Sequence, residues 1–354
     1  MSKQFAIIND THCGARKSSD IFIKYQEDFY DNVFFPYMIK NNIKEIIHLG
    51  DYFENRKFIN FKALQSNKDH FLDKLKEHDI HMWIIPGNHD TFYKNTNDLN
   101  SIDQLIGHSE YVHVINKPEV LEFEDVKLGL IPWINDDNRA ESIEFLMKTD
   151  ADIIGGHFEI IGFEMNKGVV NKEGMDSSPL ERFDLVMSGH YHTSSHRGNI
   201  HYLGSQMEFT FADAHDPKYF HIYDCDTHKL SKVLNPLTLF RKIYYNDSDG
   251  TVPKVNGKGY EGKYIKIIVE DKTDIHMFDR FMLNLQSVNP FDIKIIESFQ
   301  EFSGENVEDE HINLEETETL LDTYIDGIET NLSNDKLKSL TRSFYVEAQD
   351  IDLI

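Results

Sequence analysis

The chain is poor in cysteine, in basic residues and in long apolar runs, and each shortage excludes a class of protein. Its 354 residues include 2 cysteines, too few for the disulfide framework of a small secreted domain, which favours a reducing compartment. No uncharged apolar run approaches the roughly 18 residues of a membrane span. The N-terminus runs directly into the apolar stretch Phe5 to Ile8, which leaves no room for a signal peptide. We therefore expect a cytoplasmic protein without a membrane anchor.

Basic side chains are also outnumbered, with 36 lysines and arginines against 61 aspartates and glutamates, which gives a formal charge of −25. A field this negative should repel a polyanion such as nucleic acid. The acidity is uneven, however, because residues 297–354 carry 16 acidic and 3 basic side chains. About half of the excess charge therefore lies in the last sixth of the chain, and a polyanionic substrate is compatible with the remainder.

Apolar runs alternate with one-sided helical patterns in the first part of the chain. Runs at 5–9, 45–49 and 81–85 predict buried strands, whereas 20–42 and 61–78 have helical periodicity. Strands that alternate with helices at this spacing predict βαβ units and a mostly parallel sheet. Short strands with few helices follow, up to about residue 235. We therefore expect a layered α/β fold in which two packed β-sheets are flanked by helices.

Turn formers and charge divide the chain further. A cluster of turn residues at 246–262 and a hydrophilic stretch at 303–311 indicate boundaries. Apolar spacing near the C-terminus predicts two short amphipathic helices, and such a pair beyond a linker is typical of a partner-docking segment. The predicted division is a main α/β domain at 1–245, a small α+β cap at 246–300, an acidic linker at 301–313 and a helical docking segment at 314–354.

Side chains that bind metals recur directly after the predicted strands. The patterns are D-x-H, G-D, G-N-H-D, G-H and G-H-x-H, in this order. In open α/β sheets, functional groups converge at the carboxyl ends of strands. Each motif alone is common, but five of them in order, each after a strand, predict one shared site. The residues concerned are Asp10, His12, Asp51, Asn88, His89, Asp90, His157, His190 and His192.

The mixture of carboxylate and imidazole donors indicates which cations would bind. It suits Mn²⁺, Fe²⁺ or Zn²⁺ better than Ca²⁺, which prefers oxygen ligands alone. Two divalent cations about 4 Å apart repel each other and need a shared anionic ligand. Asp51, on a tight turn after Gly50, can be that bridge. Because no cysteine is needed as a ligand, a structural zinc site is disfavoured.

These motifs resemble those of the calcineurin-like metallophosphoesterases. Within that superfamily the chain is similar to the SbcD-type DNA nucleases, above all to the recombination nuclease subunits of T-even-like phages. The narrower similarity lies in GDYFENRK at 50–57, LIPWINDDN at 130–138 and SFYVEAQ at 343–349. The resemblance implies two Mn²⁺ ions, for which Mg²⁺ can substitute. It implies that one ion is held by Asp10, His12, Asp51 and His192, and the other by Asp51, Asn88, His157 and His190.

The resemblance also implies roles for residues beside the metals. His89 would donate a proton to the leaving 3′ oxygen, and Asp90 would orient its ring. Glu54 is a departure, because SbcD-type nucleases commonly have a histidine three residues after the bridging aspartate. An anion there would repel a phosphate unless it is turned away. The candidate contacts to substrate phosphate are Arg16, Lys17 and Arg56.

The function implied is that of a DNA nuclease subunit, with 3′→5′ exonuclease and single-strand endonuclease activity, in recombination, repair or degradation of DNA. Its partners would be DNA, a second copy of the chain, and an SbcC-like coiled-coil ATPase bound by the C-terminal helices. Its location would be the cytoplasm, of an infected bacterium if a phage encodes it. Two alternatives remain: a metallophosphoesterase acting on small phosphodiesters or phosphoproteins, and a non-catalytic scaffold for the ATPase. The predicted docking helices argue against the first, and the complete set of ligand types argues against the second.

Overall fold

The structure is a computed structural model, and it describes residues 3–166, 169–172, 174–255, 257–297, Ile325, 336–338 and Thr341. The chain divides into two compact units, Met1–Phe299 and Gln300–Ile354. The predicted linker and most of the predicted docking segment lie outside the described residues, so both stay predictions. In the described part of the chain, no helix combines the length and the apolar composition that crossing a membrane requires.

Two six-stranded sheets form the body of the first unit. One has the order β14-β13-β1-β2-β3-β4 and the other β11-β12-β10-β7-β6-β5. In chain order the strands are β1 (Gln4–Ile8), β2 (Glu45–His48), β3 (His81–Ile84), β4 (Val112–Val114), β5 (Glu119–Phe123), β6 (Val126–Ile131), β7 (Ile153–Gly156), β8 (Glu164–Asn166), β9 (Val169–Val170), β10 (Leu185–Ser188), β11 (Ser195–Arg197), β12 (Ile200–Tyr202), β13 (Tyr219–Asp224), β14 (Lys229–Leu234), β15 (Phe240–Asn246), β16 (Tyr264–Asp271) and β17 (Asp292–Glu297).

Helices connect the parallel strands of these sheets. In chain order they are α1 (Ala15–Ser18), α2 (Asp20–Phe29), α3 (Phe35–Lys40), α4 (Phe61–Asn67), α5 (Asp73–His78), α6 (Ser101–Leu105), α7 (Arg139–Lys148), α8 (Gly257–Tyr260) and α9 (Ile275–Gln286). A π-helical turn at Tyr30–Phe34 joins α2 to α3, and a second at Lys68–Leu72 joins α4 to α5. The two helical patterns predicted at 20–42 and 61–78 therefore each contain one such turn.

Strands β1 and β2, at the centre of the first sheet, are buried on both faces because both faces are covered. Strand β1 pairs in parallel with β2, and β2 with β3. Side chains of alternating residues point to opposite faces, so Phe5 and Ile7 pack between the two sheets, whereas Ala6 and Ile8 pack against the helices. Long apolar runs are typical of parallel strands buried on both faces. The predicted fold, two packed sheets flanked by helices, is confirmed.

A three-stranded parallel sheet of β15, β16 and β17 follows the two large sheets. Helix α9 covers one face, where Phe278 and Phe281 pack on Ile265 and Ile267. The small sheet begins at Phe240, so the turn-rich stretch at 246–262 is not its start. That stretch is instead the crossover between β15 and β16, since parallel neighbours need a connection of a dozen or more residues.

Candidate metal centre

The predicted ligand residues all lie in loops that leave the carboxyl ends of strands from both large sheets. The loops after β1, β2 and β3 come from the first sheet, and those after β7 and β10 come from the second. The packing of one sheet on the other therefore brings five separate segments of the chain to one place. In chain order, these loops carry Asp10 and His12, Asp51, Asn88 to Asp90, His157, and His190 with His192.

The first group of potential ligands consists of Asp10, His12 and His192, whose ligand atoms lie within 4.8 Å of one another. The Nε2 atoms of His12 and His192 are 3.0 Å apart. His12 Nε2 is also 4.0 Å from Asp10 Oδ1. Two imidazoles and a carboxylate that converge from three loops form a donor set suited to a divalent transition metal.

The second group consists of Asp51, His157 and His190, again within 4.8 Å. The side-chain oxygen of Asn88 lies between the two rings, 2.9 Å from His157 Nε2 and 3.1 Å from His190 Nδ1. His157 Nδ1 lies 2.8 Å from the Leu49 carbonyl oxygen. This contact places the proton on Nδ1, so the Nε2 lone pair points into the group, as a metal ligand requires.

Asp51 lies between the two groups. Its Oδ2 atom is 3.3 Å from His157 Nε2 in the second group and 4.0 Å from His12 Nε2 in the first. Its Oδ1 atom accepts a hydrogen bond from the backbone N–H of His89, at 2.8 Å. One carboxylate thus faces both sets of donors, which is the arrangement that a pair of cations needs. The residues present therefore fit two divalent cations.

The backbone of the site is strained at four of these residues. The φ angles of Asp10, His12, Asp51 and His190 are 48°, 46°, 55° and 86°, in the left-handed region that side chains with a Cβ rarely adopt. Such conformations cost about 1–3 kcal/mol each and persist when the surroundings hold them. Here the N–H of Asp10 donates to the Gly50 carbonyl and that of His12 to the Asp51 carbonyl, so the first two loops hold each other.

Charge is concentrated in this buried place, and it shifts the ionisation of the ligands. Burial alone would raise the pKa of Asp51, but the adjacent His157 outweighs it and holds that pKa well below its usual value. Burial would lower the pKa of His157, but Asp51 raises it to about 10. Likewise Glu54 overcomes burial and raises the pKa of His12 to about 9. Both rings must release a proton to bind a cation, so metal affinity should increase with pH.

His89 and Asp90 follow the predicted ligand Asn88, but they have separate partners. The Nδ1 atom of His89 lies 2.7 Å from the backbone carbonyl oxygen of Glu54. The Asp90 carboxylate accepts hydrogen bonds from the backbone N–H groups of Gly87, Tyr52 and Phe53. The expectation that Asp90 orients the His89 ring is therefore wrong. Asp90 joins two loops of the site, and the Glu54 carbonyl orients the ring.

Of the three predicted phosphate contacts, two already have other partners in the protein. Arg16 donates from Nε to the Phe209 carbonyl at 2.9 Å. The Arg56 guanidinium lies over the Trp133 ring, 5.5 Å from its centre. Lys17 is exposed in α1, the short helix that follows His12. Their contact with substrate stays a prediction.

Sequence reasoning missed several residues that hold the ligands in place. Asn9 donates from Nδ2 to Asp10 Oδ2 at 2.5 Å and to the Gly204 carbonyl at 3.0 Å. The buried Lys218 donates to the His192 carbonyl at 2.9 Å while it pairs with Asp213 at 2.6 Å. Asn9 had one local signal, a polar residue at the end of an apolar strand. Lys218 had none, because its contact joins residues far apart in the chain.

The fold and this site have a counterpart among known families. A family model described as calcineurin-like phosphoesterase matches residues 3–194, which is more than half of the chain and includes all five motifs. The chain therefore belongs to the calcineurin-like phosphoesterase family, a family of metal-dependent hydrolases.

Two curated relatives have names that specify nucleases. The chain is 28% identical to exonuclease subunit 1 of Enterobacteria phage T4, over 96% of this chain and 98% of that protein. It is 24% identical to the SbcD subunit of the nuclease SbcCD from Staphylococcus saprophyticus, over 52% of this chain and 51% of that protein. Among solved structures, the Pseudomonas putida nuclease MPE is 17% identical, with a TM-score of 0.29 over 65% of this chain and 87% of that one. The expected resemblance to SbcD-type nucleases is confirmed.

The close approach of Gly87 to Asp51 gives a test of this geometry. A Cβ atom at Gly87 would lie 2.2 Å from Asp51 Oδ1 and 2.3 Å from the Asp51 backbone nitrogen, so Gly87→Ala should displace Asp51 together with its carboxylate. We expect Mn²⁺ affinity, measured by calorimetric titration of the full chain, to fall by about 10- to 100-fold, as for loss of a ligand's supporting contact. The control is Gly257→Ala, whose Cβ would meet its nearest neighbour at 3.8 Å. Unchanged Mn²⁺ affinity in Gly87→Ala would contradict the assigned role of Asp51.

Proposed function

We propose that this protein is the nuclease subunit of a complex with an SbcC-like coiled-coil ATPase, and that it hydrolyses DNA phosphodiesters with two Mn²⁺ ions, for which Mg²⁺ can substitute. Its activities would be 3′→5′ exonuclease and single-strand endonuclease, in recombination, repair or degradation of DNA. The observation that carries the proposal is the placement of Asp51 between two groups of ligands, with His89 beside them. The two nuclease-named relatives support DNA as the substrate.

The chain's own residues account for the proposed chemistry as follows. Two divalent cations, when bound, would polarise the phosphate and neutralise the charge that develops on it. His89 is half-buried, and its Nδ1 faces the Glu54 carbonyl, so the ring keeps its Nε2 free to face the substrate. When the ring carries a proton on both nitrogens, Nε2 can donate one to the leaving oxygen and keep the Nδ1 contact. Asp90 keeps its backbone contacts and holds the turn that carries His89.

The proposed partner is supported by the relatives and by charge. Both relatives are named as subunits, which is consistent with a nuclease that works in a complex. The acidic residues 297–354 include the predicted docking helices, and a partner with a basic face could bind there. The proposed location is the cytoplasm, of an infected bacterium if the chain is phage-encoded.

Substitution of His89 tests both the substrate and the catalytic role. We expect His89→Ala to reduce the rate of Mn²⁺-dependent cleavage of linear DNA by about 10²- to 10⁴-fold, because the leaving oxygen loses its proton donor. The rate is measured on DNA labelled at either end and on circular single strands, with and without the ATPase. The matched control is His113→Ala, a histidine of β4 that stacks on Trp83 away from the ligands.

Each outcome of this experiment distinguishes between the candidate functions. Equal cleavage by wild type and His89→Ala would contradict the catalytic assignment. Hydrolysis of small phosphodiesters or phosphopeptides, with no release from DNA even in the complex, would favour the first alternative. Absence of hydrolysis of all these substrates by the complex, with Mn²⁺ and with Mg²⁺, would favour the scaffold.

The small sheet is proposed to engage DNA. Lys242, Lys266 and Lys294 pair in one register row across its three strands, on the face opposite α9. With strands about 4.8 Å apart, the row spans about 10 Å. Burial, Lys294 and Lys242 together lower the pKa of Lys266 to about 8, so the positive charges repel one another. Lys266 is itself buried, with its ammonium over the Phe211 ring, so a phosphate backbone would meet the outer lysines, Lys242 and Lys294.

Removal of the two outer charges of this row tests the DNA contact. We expect the double substitution Lys242→Gln and Lys294→Gln to weaken DNA binding and to reduce the slope of log affinity against log salt by about 1 for each lysine that meets a phosphate. The control is Lys127→Gln with Lys148→Gln, which are paired with Asp150 and Glu144. An unchanged salt dependence would contradict the contact.

The proposed homodimer has a candidate interface beside the site. Phe58 and Phe61, in the loop before α4 and at its first residue, are 75% and 86% exposed. Exposed aromatic side chains this close together are typical of a surface that another molecule covers. A second copy of the chain is the proposed occupant.

Mass measurement by light scattering tests this interface. We expect wild type at twice the chain mass of 41.4 kDa and the double variant Phe58→Ser, Phe61→Ser at the single mass. Leu283→Ser is the control, since Leu283 is 65% exposed on α9. A dimer that survives the double substitution would place the interface elsewhere, and a monomeric wild type would contradict the dimer.

A further inference from the structure

Glu54 contacts two functional histidines at once, through two different groups. Its side-chain Oε2 atom is 2.8 Å from Nδ1 of His12, and its backbone carbonyl oxygen is 2.7 Å from Nδ1 of His89. The two rings meet edge to face, with their centres 5.0 Å apart and their planes at 89°. Glu54 therefore faces the Nδ1 atom of His12, a predicted metal ligand, and the Nδ1 atom of His89, the predicted proton donor.

The contact with His12 determines which of its nitrogens can bind a cation. The Glu54 carboxylate lies 2.8 Å from Nδ1 of His12, and its negative charge favours a proton on that nitrogen over a lone pair facing the anion. The Nε2 lone pair then points towards Asp10 and His192, where the first group of ligands converges. His157 is fixed in the same sense by the neutral carbonyl of Leu49. Glu54 differs from the Leu49 carbonyl in carrying a full negative charge, which stabilises a proton on Nδ1 of His12 and increases the basicity of the ring.

Glu54 is itself held in register with the His12 loop. Its backbone N–H donates to the Cys13 carbonyl at 3.1 Å, and Cys13 in turn donates to the Tyr52 carbonyl at 2.7 Å. Cys13 and Phe53 form an isolated parallel bridge. The Asp90 carboxylate accepts hydrogen bonds from the two backbone N–H groups that precede Glu54, those of Tyr52 and Phe53. The Glu54 carboxylate is therefore presented to His12 by a backbone that is fixed on both sides.

We propose that Glu54 is a positioning residue, whose carboxylate fixes the tautomer and direction of His12 as a metal ligand while its carbonyl fixes His89. The inference rests on the two-cation site of the proposed function. It also accounts for a carboxylate so close to the place where phosphate would bind. The charge of Glu54 is directed at an N–H of His12, so its repulsion of a phosphate is reduced.

The test compares Mn²⁺ binding by the full chain in wild type, Glu54→Ala and Glu54→Gln, by calorimetry and by the electron paramagnetic resonance signal of free Mn²⁺. We expect Glu54→Ala to weaken binding of one of two ions by about 10- to 100-fold. Glu54→Gln keeps an oxygen that accepts from Nδ1, so it should recover most of this affinity. The melting temperature of the metal-free variants should match wild type.

Glu159→Ala is the matched control, because it removes the same charge next to the other group of ligands. Glu159 Oε1 is 3.6 Å from His190 Nε2, beyond hydrogen-bond length. We expect its Mn²⁺ affinity to change by less than about threefold, as for a solvent-exposed charge. An equal loss in Glu159→Ala and Glu54→Ala would show that charge alone is responsible, and it would overturn the proposal.

Two further results would also overturn it. Wild-type Mn²⁺ binding in Glu54→Ala would show that His12 needs no support from the carboxylate. Loss of one ion in Glu54→Gln as complete as in Glu54→Ala would make Glu54 a direct ligand, with His12 and His89, whose atoms also lie within 4.8 Å of it. These readouts measure metal binding alone. If wild type binds two Mn²⁺ ions but does not cleave DNA, the proposed function fails while this inference stands.

Discussion

The position of the Asp51 carboxylate is the constraint on which the rest of the site depends. It lies after a central strand of the first sheet, and it contacts the backbone at Gly87 and His89 as well as His157 from the second sheet. A change in the packing of the two sheets would separate Asp51 from His157, while its contacts at Gly87 and His89 lie within the first sheet. The large apolar core between the sheets thus contributes to chemistry by holding two halves of one ligand set at ångström precision.

The sequence predicts well those features of the site that depend on local patterns, such as a polar residue after an apolar strand. Asp10, Asp51 and His157 each follow a buried apolar strand, and parallel strands end at a common edge, so their convergence needed only the fold class. The role of Asp90 was mispredicted because it was carried over from the family resemblance, which does not show where the carboxylate points. In the folded chain the carboxylate points at the backbone of another loop, 37 to 38 residues away.

The features that the sequence did not reveal share a cause, which is dependence on tertiary contacts. The pairing of Lys218 with Asp213 under the His192 loop follows no motif, and a buried lysine is not recognisable from its neighbours in sequence. The crossover at 246–262 looked like a domain boundary because a polar, turn-rich composition is common to both. Only the parallel pairing of β15 with β16 distinguishes them.

The two π-helical turns have a consequence for how the chain tolerates change. The helix before each turn makes a hydrogen bond to a loop of the site. In α2 the side chain of Gln26 donates to the Thr11 carbonyl, and in α4 the side chain of Asn67 accepts from the Tyr52 hydroxyl. After each turn, the helix continues along the first sheet, and the turns themselves touch through Tyr30 and Phe71. A π-turn holds one residue more than an α-turn, and one residue rotates a helix by about 100°. Deleting a single residue there would therefore rotate one end of the helix relative to the other. These helices are consequently far less tolerant of length changes than of substitutions, although they lie outside the metal centre.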